Sequence, residues 1–520
     1  MSLLAGRILS EVESLLGQRK TAPALSLLDA LRRDAWSDPA VLMAVSILYG
    51  RAGRLRLSRE TALRAVALSP AAPDVRYGLS RLLGGFSEHA ALVGCLDGMN
   101  VAEHASPQAI GACVMLLVVV GEQELARAYV NTGLRRFPDH PVLHYVGGNL
   151  ALFSGEKDRA EQHYEAALAM DPRLFQASWM LADVRKQTEA SNHVDRLRRQ
   201  LADAAPGGMG QIHLQFALFK ELDDLGETAA AWQALTTGCR AKRAMQSFDI
   251  ARARTAFSLL RERYSAEIPV VSPPPAAPAP IFIVGMHRSG TSLAEDLLST
   301  HPQITTAGET YSFVDQLRIA ADGGLRSRID PAFVAAFTAA TPASIADDYR
   351  RLALHLARGR PFFTEKLPSN FLYIGAIAKT IPEARFVHLV RDPVATCFSN
   401  FRVLFGEGCG YSYDQSELAN YYIEYKKLMA HWHRILPGRI LDVPYDQLAA
   451  NPNGSKELIL AHCGIADALQ PDGTGIARRS VVTASASRLR DGIQLGRDAA
   501  WLPYAAYLQP LRNRLAEAGL

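Results

Sequence analysis

The sequence of 520 residues predicts two folds in series, an all-α solenoid of helical repeats followed by an α/β domain with a mainly parallel sheet. Three observations predict it. Six prolines crowd between Pro269 and Pro280, a semi-rigid extended linker. Upstream of it, amphipathic helical patterns recur with short turns and almost no strand-like runs. Downstream, β-branched runs alternate with helical stretches. The expected boundaries are 1–265 for the repeats, 266–280 for the linker and 281–520 for the second domain.

Composition sets outer limits. Hydrophobic residues make up 48% and charged residues 21%, so disordered and collagen-like classes are excluded. The net charge of +4 comes without a block of like charges, which argues against a nucleic-acid partner. The densest apolar run, Ala112 to Val120, is far short of the ~20 residues that a membrane-spanning helix needs. Met1 to Arg7 lacks the pattern of a secretory leader. Cys95, Cys113, Cys239, Cys397, Cys409 and Cys463 are scattered without metal-ligand or disulfide spacing, so a reducing, cytoplasmic setting is expected. His431 and His433 point apart at i,i+2 on a helix, and no metal is expected.

The repeats have a ruler. Glycine is followed seventeen residues later by proline at Gly53/Pro70, Gly121/Pro138 and Gly155/Pro172, and these pairs lie 68 and 34 residues apart. In the clearest copy, Ala160, Tyr164, Ala167 and Pro172 supply the small, large, small and helix-stopping positions that two packed antiparallel helices need. These residues resemble the tetratricopeptide repeat. Residues 70–105 and the Leu225-Gly226 region read as further units. Such an array offers a groove for an acceptor or a protein partner and no chemistry of its own.

Immediately after the linker, Ile281–Val284 reads as a strand and Gly285-Met-His-Arg-Ser-Gly-Thr-Ser292 as a loop opening a helix. That arrangement aims backbone N–H groups at an anion. Gly285 and Gly290 have nucleotide-loop spacing, but Thr291 stands where a triphosphate-binding loop has its lysine, which disfavours an ATP- or GTP-using kinase. Arg288 supplies the positive charge instead. A second strand, Ala384–Val390, runs into Arg391-Asp392-Pro393, with Ser399 eight residues after the arginine. Taken by themselves, Asp392 could cap a helix and Arg391 could be solvated.

In this order, the two segments resemble the 5′-phosphosulfate loop and the 3′-phosphate site of sulfotransferases, which use 3′-phosphoadenosine 5′-phosphosulfate (PAPS). The resemblance runs through nearly all of residues 281–511, by way of Glu365-Lys366-Leu367-Pro368-Ser369-Asn370, Leu428–Trp432, Asp442–Leu448, Thr483-Ala484-Ser485, Trp501, Tyr504 and Pro510-Leu511. It is similar in this half to protein-tyrosine sulfotransferases and implies a P-loop-like sheet with no metal. It also implies roles. Glu309 is the candidate base and Lys366 the stabiliser of the leaving oxygen. Arg288, Ser289, Gly290, Thr291 and Ser292 would hold the phosphosulfate, and Ser485 would lie near the transferring group. Arg391 and Ser399 would hold the 3′-phosphate, with Tyr445 in the nucleotide pocket or simply in the core.

Two positions and one segment depart from the family pattern. His287 replaces a proline in the loop, Glu365 replaces an aspartate, and Ala486-Ser-Arg-Leu-Arg-Asp-Gly492 replaces the usual sequence after Ser485, which weakens the assignment of that serine. The implied activity is sulfuryl transfer from PAPS to an acceptor hydroxyl, with protein tyrosine one candidate. The rival reading is a repeat scaffold whose second domain binds nucleotide without catalysing.

Overall fold

The computed structural model describes residues 3–34, 37–98, 100–268, 278–322, 329–340, 342–406, 408–466 and 497–520. Most of the linker and all of residues 467–496, including Ser485, lie outside them. The expected series of folds is present, with helices from Leu3 to Arg263 and then a five-stranded sheet. The strands are β1 (Ala279–Gly285), β2 (Ile304–Thr306), β3 (Phe362–Glu365), β4 (Arg385–Val390) and β5 (Ile440–Pro444). Their order across the sheet is β2-β3-β1-β4-β5, and every pairing is parallel.

The helical period is more regular than the glycine ruler suggests. First helices of successive units begin at Pro39, Pro73, Pro107, Pro141, Phe175 and Met209, each 34 residues after the last. Four of these starts are prolines at the head of the helix, where a missing N–H costs nothing. Gly53, Gly121 and Gly155 each take φ near +80°, the left-handed turn between paired helices. Ala160, Tyr164 and Ala167 are fully buried. The Tyr164 ring lies where a Cβ on Gly148 would meet it at 2.5 Å, and its hydroxyl donates to Asn149 Oδ1 at 2.8 Å. That close approach is why the facing helix carries glycine.

Contacts group the chain into two compact units, Met1–Arg136 with Thr310–Arg358, and Phe137–Glu309 with Gly359–Leu520. The first contains the units that begin at Pro39, Pro73 and Pro107. In it the Pro342–Ala357 helix is tied to the repeats by charge: Arg59 donates to Glu88 and Asp348, and Arg351 donates to Glu88.

The second unit contains the later repeats and the sheet. Ile281 and Ile283 of β1 and Val387 and Leu389 of β4 face one side, packed with Ala294 and Leu298 of the Thr291–Ser299 helix. Phe282 stacks on Phe386 on the other side. There the Gln415–Ile435 helix covers the strands, and its Trp432 donates to the Phe371 carbonyl at 2.8 Å. Phe257 of the Ile250–Arg263 helix stacks on Phe371, and Trp232 stacks on Phe401 and Tyr507. The last solenoid helices therefore share an aromatic core with the segments that flank the sheet.

Candidate active site

Parallel strands all deliver the chain to one edge, and ligands of open α/β sheets bind outside that carboxyl edge. Here every strand releases a sequence-predicted residue there. Glu309 follows β2, Lys366 follows β3, the 285–292 loop follows β1, Arg391 follows β4 and Tyr445 follows β5. The strand order thus fixes a sequence of groups along the edge: Glu309, Lys366, the loop, Arg391, Tyr445.

The loop is held under strain. Arg288 adopts φ +70°, unusual for a residue with a Cβ, and Gly290 adopts φ +106° as the residue that opens the Thr291–Ser299 helix. A Cβ on Gly290 would meet the Tyr445 ring at 2.6 Å, and one on Gly285 would meet Ser289 Oγ at 2.7 Å and the Leu389 carbonyl at 2.9 Å. Both glycines are required by close approach. Asn400 donates to the His287 carbonyl at 2.6 Å, and the His287 ring bonds the Tyr411 hydroxyl at 2.9 Å, so the loop is clamped from both sides.

Arg288 connects the two phosphate-type motifs. Its Nε makes a long contact of 3.4 Å to Ser399 Oγ, and its carbonyl accepts from Arg391 Nη1 at 3.0 Å. The Arg391 guanidinium lies 4.6 Å over the Tyr445 ring, and Tyr422 donates to the Arg391 carbonyl at 3.3 Å. Asp392 does cap the Pro393–Phe401 helix, accepting from the Ala395 N–H at 2.7 Å, yet Arg391 is turned into the cluster rather than solvated. Thr291 and Ser399 are buried and Ser292 is half-buried. Ser289 is buried, and its hydroxyl has no hydrogen-bond partner among the described residues.

At the other end, Lys366 is fully buried and its Nζ donates to Glu309 Oε1 at 2.7 Å. An ordinary solvated lysine is thereby excluded. Two groups that sequence reasoning gave no role belong here. Glu295, on the loop helix, accepts from Thr364 Oγ1 at 2.8 Å and from the Gly308 N–H at 3.0 Å, so it ties that helix to β3 and to the residue before Glu309. Burial pushes its carboxyl above the usual range, against the pull of Lys366. Asn370 is fully buried with both amide atoms unpartnered among the described residues. Its place in the Lys366-Leu367-Pro368-Ser369-Asn370 string was the available signal. For Glu295 there was none, because a helical Glu beside Asp296 reads as a solvated face.

Residues 280–468 match the model of the Sulfotransferase family, so the C-terminal half carries a sulfotransferase-family domain. An uncharacterized Aquifex aeolicus (strain VF5) protein is 29% identical over 246 residues, 46% of this chain and 32% of that protein. A Caenorhabditis briggsae protein, named provisionally as a protein-tyrosine sulfotransferase, is 26% identical over 181 residues, 33% of this chain and 60% of its own length. The chain thus spans about a third and three fifths of these two relatives. Among solved structures, a sulfotransferase from Alicyclobacillus acidocaldarius is matched at 16% identity with a TM-score of 0.28, over 48% of this chain and 96% of that one. A tetratricopeptide repeat protein from Parabacteroides merdae is matched at 14% identity with a TM-score of 0.33, over 45% of this chain and 91% of that one. Among the described residues, no helix is long and apolar enough to cross a membrane.

Proposed function

We propose that this chain is a PAPS-dependent sulfotransferase whose acceptor is a hydroxyl, with peptide tyrosine as the finer assignment. The observation that carries the reading is the order of groups along the carboxyl edge of the sheet: Glu309 and Lys366 on one side of the loop, Arg391 and Tyr445 on the other. The residues fit such a donor. The unpartnered Ser289 hydroxyl and the unpartnered Asn370 amide are buried groups that an anionic nucleotide would satisfy. The glycine cradle admits its backbone approach.

The donor supplies the SO₃ group: a bond forms from the acceptor oxygen to sulfur as the bridging O–S bond breaks, leaving adenosine 3′,5′-bisphosphate. Arg288 and the N–H groups at the head of the Thr291–Ser299 helix hold the phosphosulfate. Arg391 and Ser399 hold the 3′-phosphate, and Tyr445 backs the nucleotide. Lys366 moves its donor from Glu309 to the bridging oxygen, where charge develops. That exchange frees the Glu309 carboxylate to take the acceptor proton. A phenol, with a pKa near 10, gives up that proton more readily than an aliphatic alcohol, which supports tyrosine, as does the name of the Caenorhabditis relative.

In this reading residues 1–265 dock the acceptor or a protein partner, 266–280 link and 281–520 catalyse. The scattered spacing of the six cysteines, without a metal-ligand or disulfide pattern, supports a reducing, cytoplasmic setting. The test is calorimetric binding of adenosine 3′,5′-bisphosphate to the full chain, with AMP and ATP as controls, followed by PAPS turnover on tyrosine peptides and on a sugar. Tight binding that AMP does not reproduce, with transfer to the peptide, is expected. A preference for ATP, or no binding, overturns the donor assignment.

A further inference from the structure

The face of the sheet opposite the phosphate-loop helix holds a cluster with no part in the proposed reaction. His388 of β4 and Asp442 of β5 are register partners in adjacent parallel strands, so their side chains share that face. His433 reaches them from the last turn of the Gln415–Ile435 helix. Asp442 Oδ1 sits 2.7 Å from His388 Nδ1 and 2.8 Å from His433 Nε2. One ligand atom from each of the three residues lies within 4.8 Å of the other two. His388 is buried, whereas the side chains of His433 and Asp442 are 38% and 49% exposed. The cluster therefore has a rigid floor and an open side.

We infer that His388, His433 and Asp442 form a binding site for a divalent cation of the zinc class. Two imidazole nitrogens and one carboxylate are a three-ligand set that zinc takes with water in the fourth position, and borderline-soft nitrogen donors select zinc over magnesium. Zinc–ligand bonds of about 2.0–2.1 Å in a tetrahedron place ligand atoms roughly 3.3 Å apart, so the two Asp442 contacts need to open by about half an ångström while the two imidazole nitrogens, which lie within 4.8 Å of each other, draw together. The exposed His433 and Asp442 side chains can supply that movement. His388 already has its outer partner: Nε2 meets the buried Tyr425 hydroxyl at 2.5 Å. With the metal on Nδ1, the imidazole proton resides on Nε2 and is donated to that oxygen, the kind of outer contact that orients metal-ligating histidines. Bound metal would join β4 three residues before Arg391 to β5 three residues before Tyr445.

Equilibrium dialysis of the full chain against zinc chloride, manganese chloride and magnesium chloride tests this, with the metal content of the protein counted directly. Zinc is expected at one equivalent through this site, with manganese weaker and magnesium absent. His433→Ala, at an exposed helix end where folding is least at risk, should weaken zinc by more than the roughly 10–100-fold that loss of an outer partner costs. Asp442→Asn should do likewise. His144→Ala is the control, because His144 Nδ1 lies 3.2 Å from His163 Nδ1 in the repeats and could chelate independently. Cobalt(II) substituted for zinc should give a visible tetrahedral absorption that His433→Ala abolishes. Absence of saturable zinc binding overturns the site, as does binding that survives His433→Ala or is lost in His144→Ala.

Discussion

At the scale of single residues, the pair Glu309–Lys366 and the carboxylate behind it can be separated by substitution. Glu309→Gln removes the proposed base and keeps the shape, so transfer should fall by about 10²–10⁴-fold while adenosine 3′,5′-bisphosphate binds as before. Single-turnover kinetics and calorimetry read the two quantities independently, and unchanged transfer would remove Glu309 from the mechanism. Glu295 is a positioning residue: it accepts hydrogen bonds from Thr364 and from the N–H of Gly308, the residue before Glu309. Glu295→Ala should lower kcat by about tenfold or more with little change in donor KM, because a small misplacement of a catalytic group is costly. Glu295→Gln retains an acceptor oxygen for both donors and should restore most of the rate. Equal damage from both would show that Glu295 acts through its charge. Arg288, Lys366 and Arg391 were legible in the sequence because each lies within a few residues of a strand end, and short local strings carry that information. Glu295, His388, His433 and Asp442 were not, because their partners are brought together only by strand register and helix packing.

Among elements, the loop from Gly285 to Thr291 depends on backbone shape more than on side chains. Gly290→Ala would place a methyl 2.6 Å from a Tyr445 ring carbon at a residue whose φ is +106°. Tyr445 has little freedom to retreat under the Arg391 guanidinium. Overpacking of this kind costs about 1–3 kcal/mol of stability, and the displaced loop should show weaker binding of adenosine 3′,5′-bisphosphate by calorimetry. Unaltered affinity would mean that the loop does not approach the nucleotide. The repeat helices teach a different lesson about legibility. Pro39, Pro73, Pro107 and Pro141 announce the 34-residue period in the sequence itself, yet the glycine ruler saw only part of it. Ser87 fills one glycine slot at φ +57°, a turn that a non-glycine residue seldom marks. In the unit that begins at Phe175, the following helix starts only at Val194, so the turn there is longer and its glycine is missing.

At the scale of the whole molecule, stability should depend on acid more than the near-zero net charge suggests. The unit that joins the first repeats to residues 310–358 holds Glu88 between two guanidinium groups. Burial pushes the Glu88 carboxyl up, but the hydrogen bonds and charges of Arg351 and Arg59 outweigh it and hold it below the usual range. A carboxyl lowered in this way stabilises the fold at neutral pH, and the contribution disappears as pH falls through the carboxylate range. Next to it, His89 is lowered to about 4, chiefly by burial and then by the charge of His355. The unfolded chain takes up this proton near pH 6.5 and the folded chain only near 4, so stability is full above 6.5 and declines below it. At pH 5 the His89 share of that loss is about 2 kcal/mol. His213, lowered to about 4 by burial, acts in the same direction in the other unit. Urea unfolding should therefore give a distinctly lower free energy at pH 5 than at pH 7.5, and His89→Asn should recover part of the difference. Stability that is level between those two pH values would show that these side chains protonate without penalty in the fold. Glu88→Ala makes the complementary measurement, since two partly buried guanidinium groups lose their shared carboxylate. It should cost about 3–5 kcal/mol at pH 7.5 and progressively less as acid neutralises Glu88 in the parent protein.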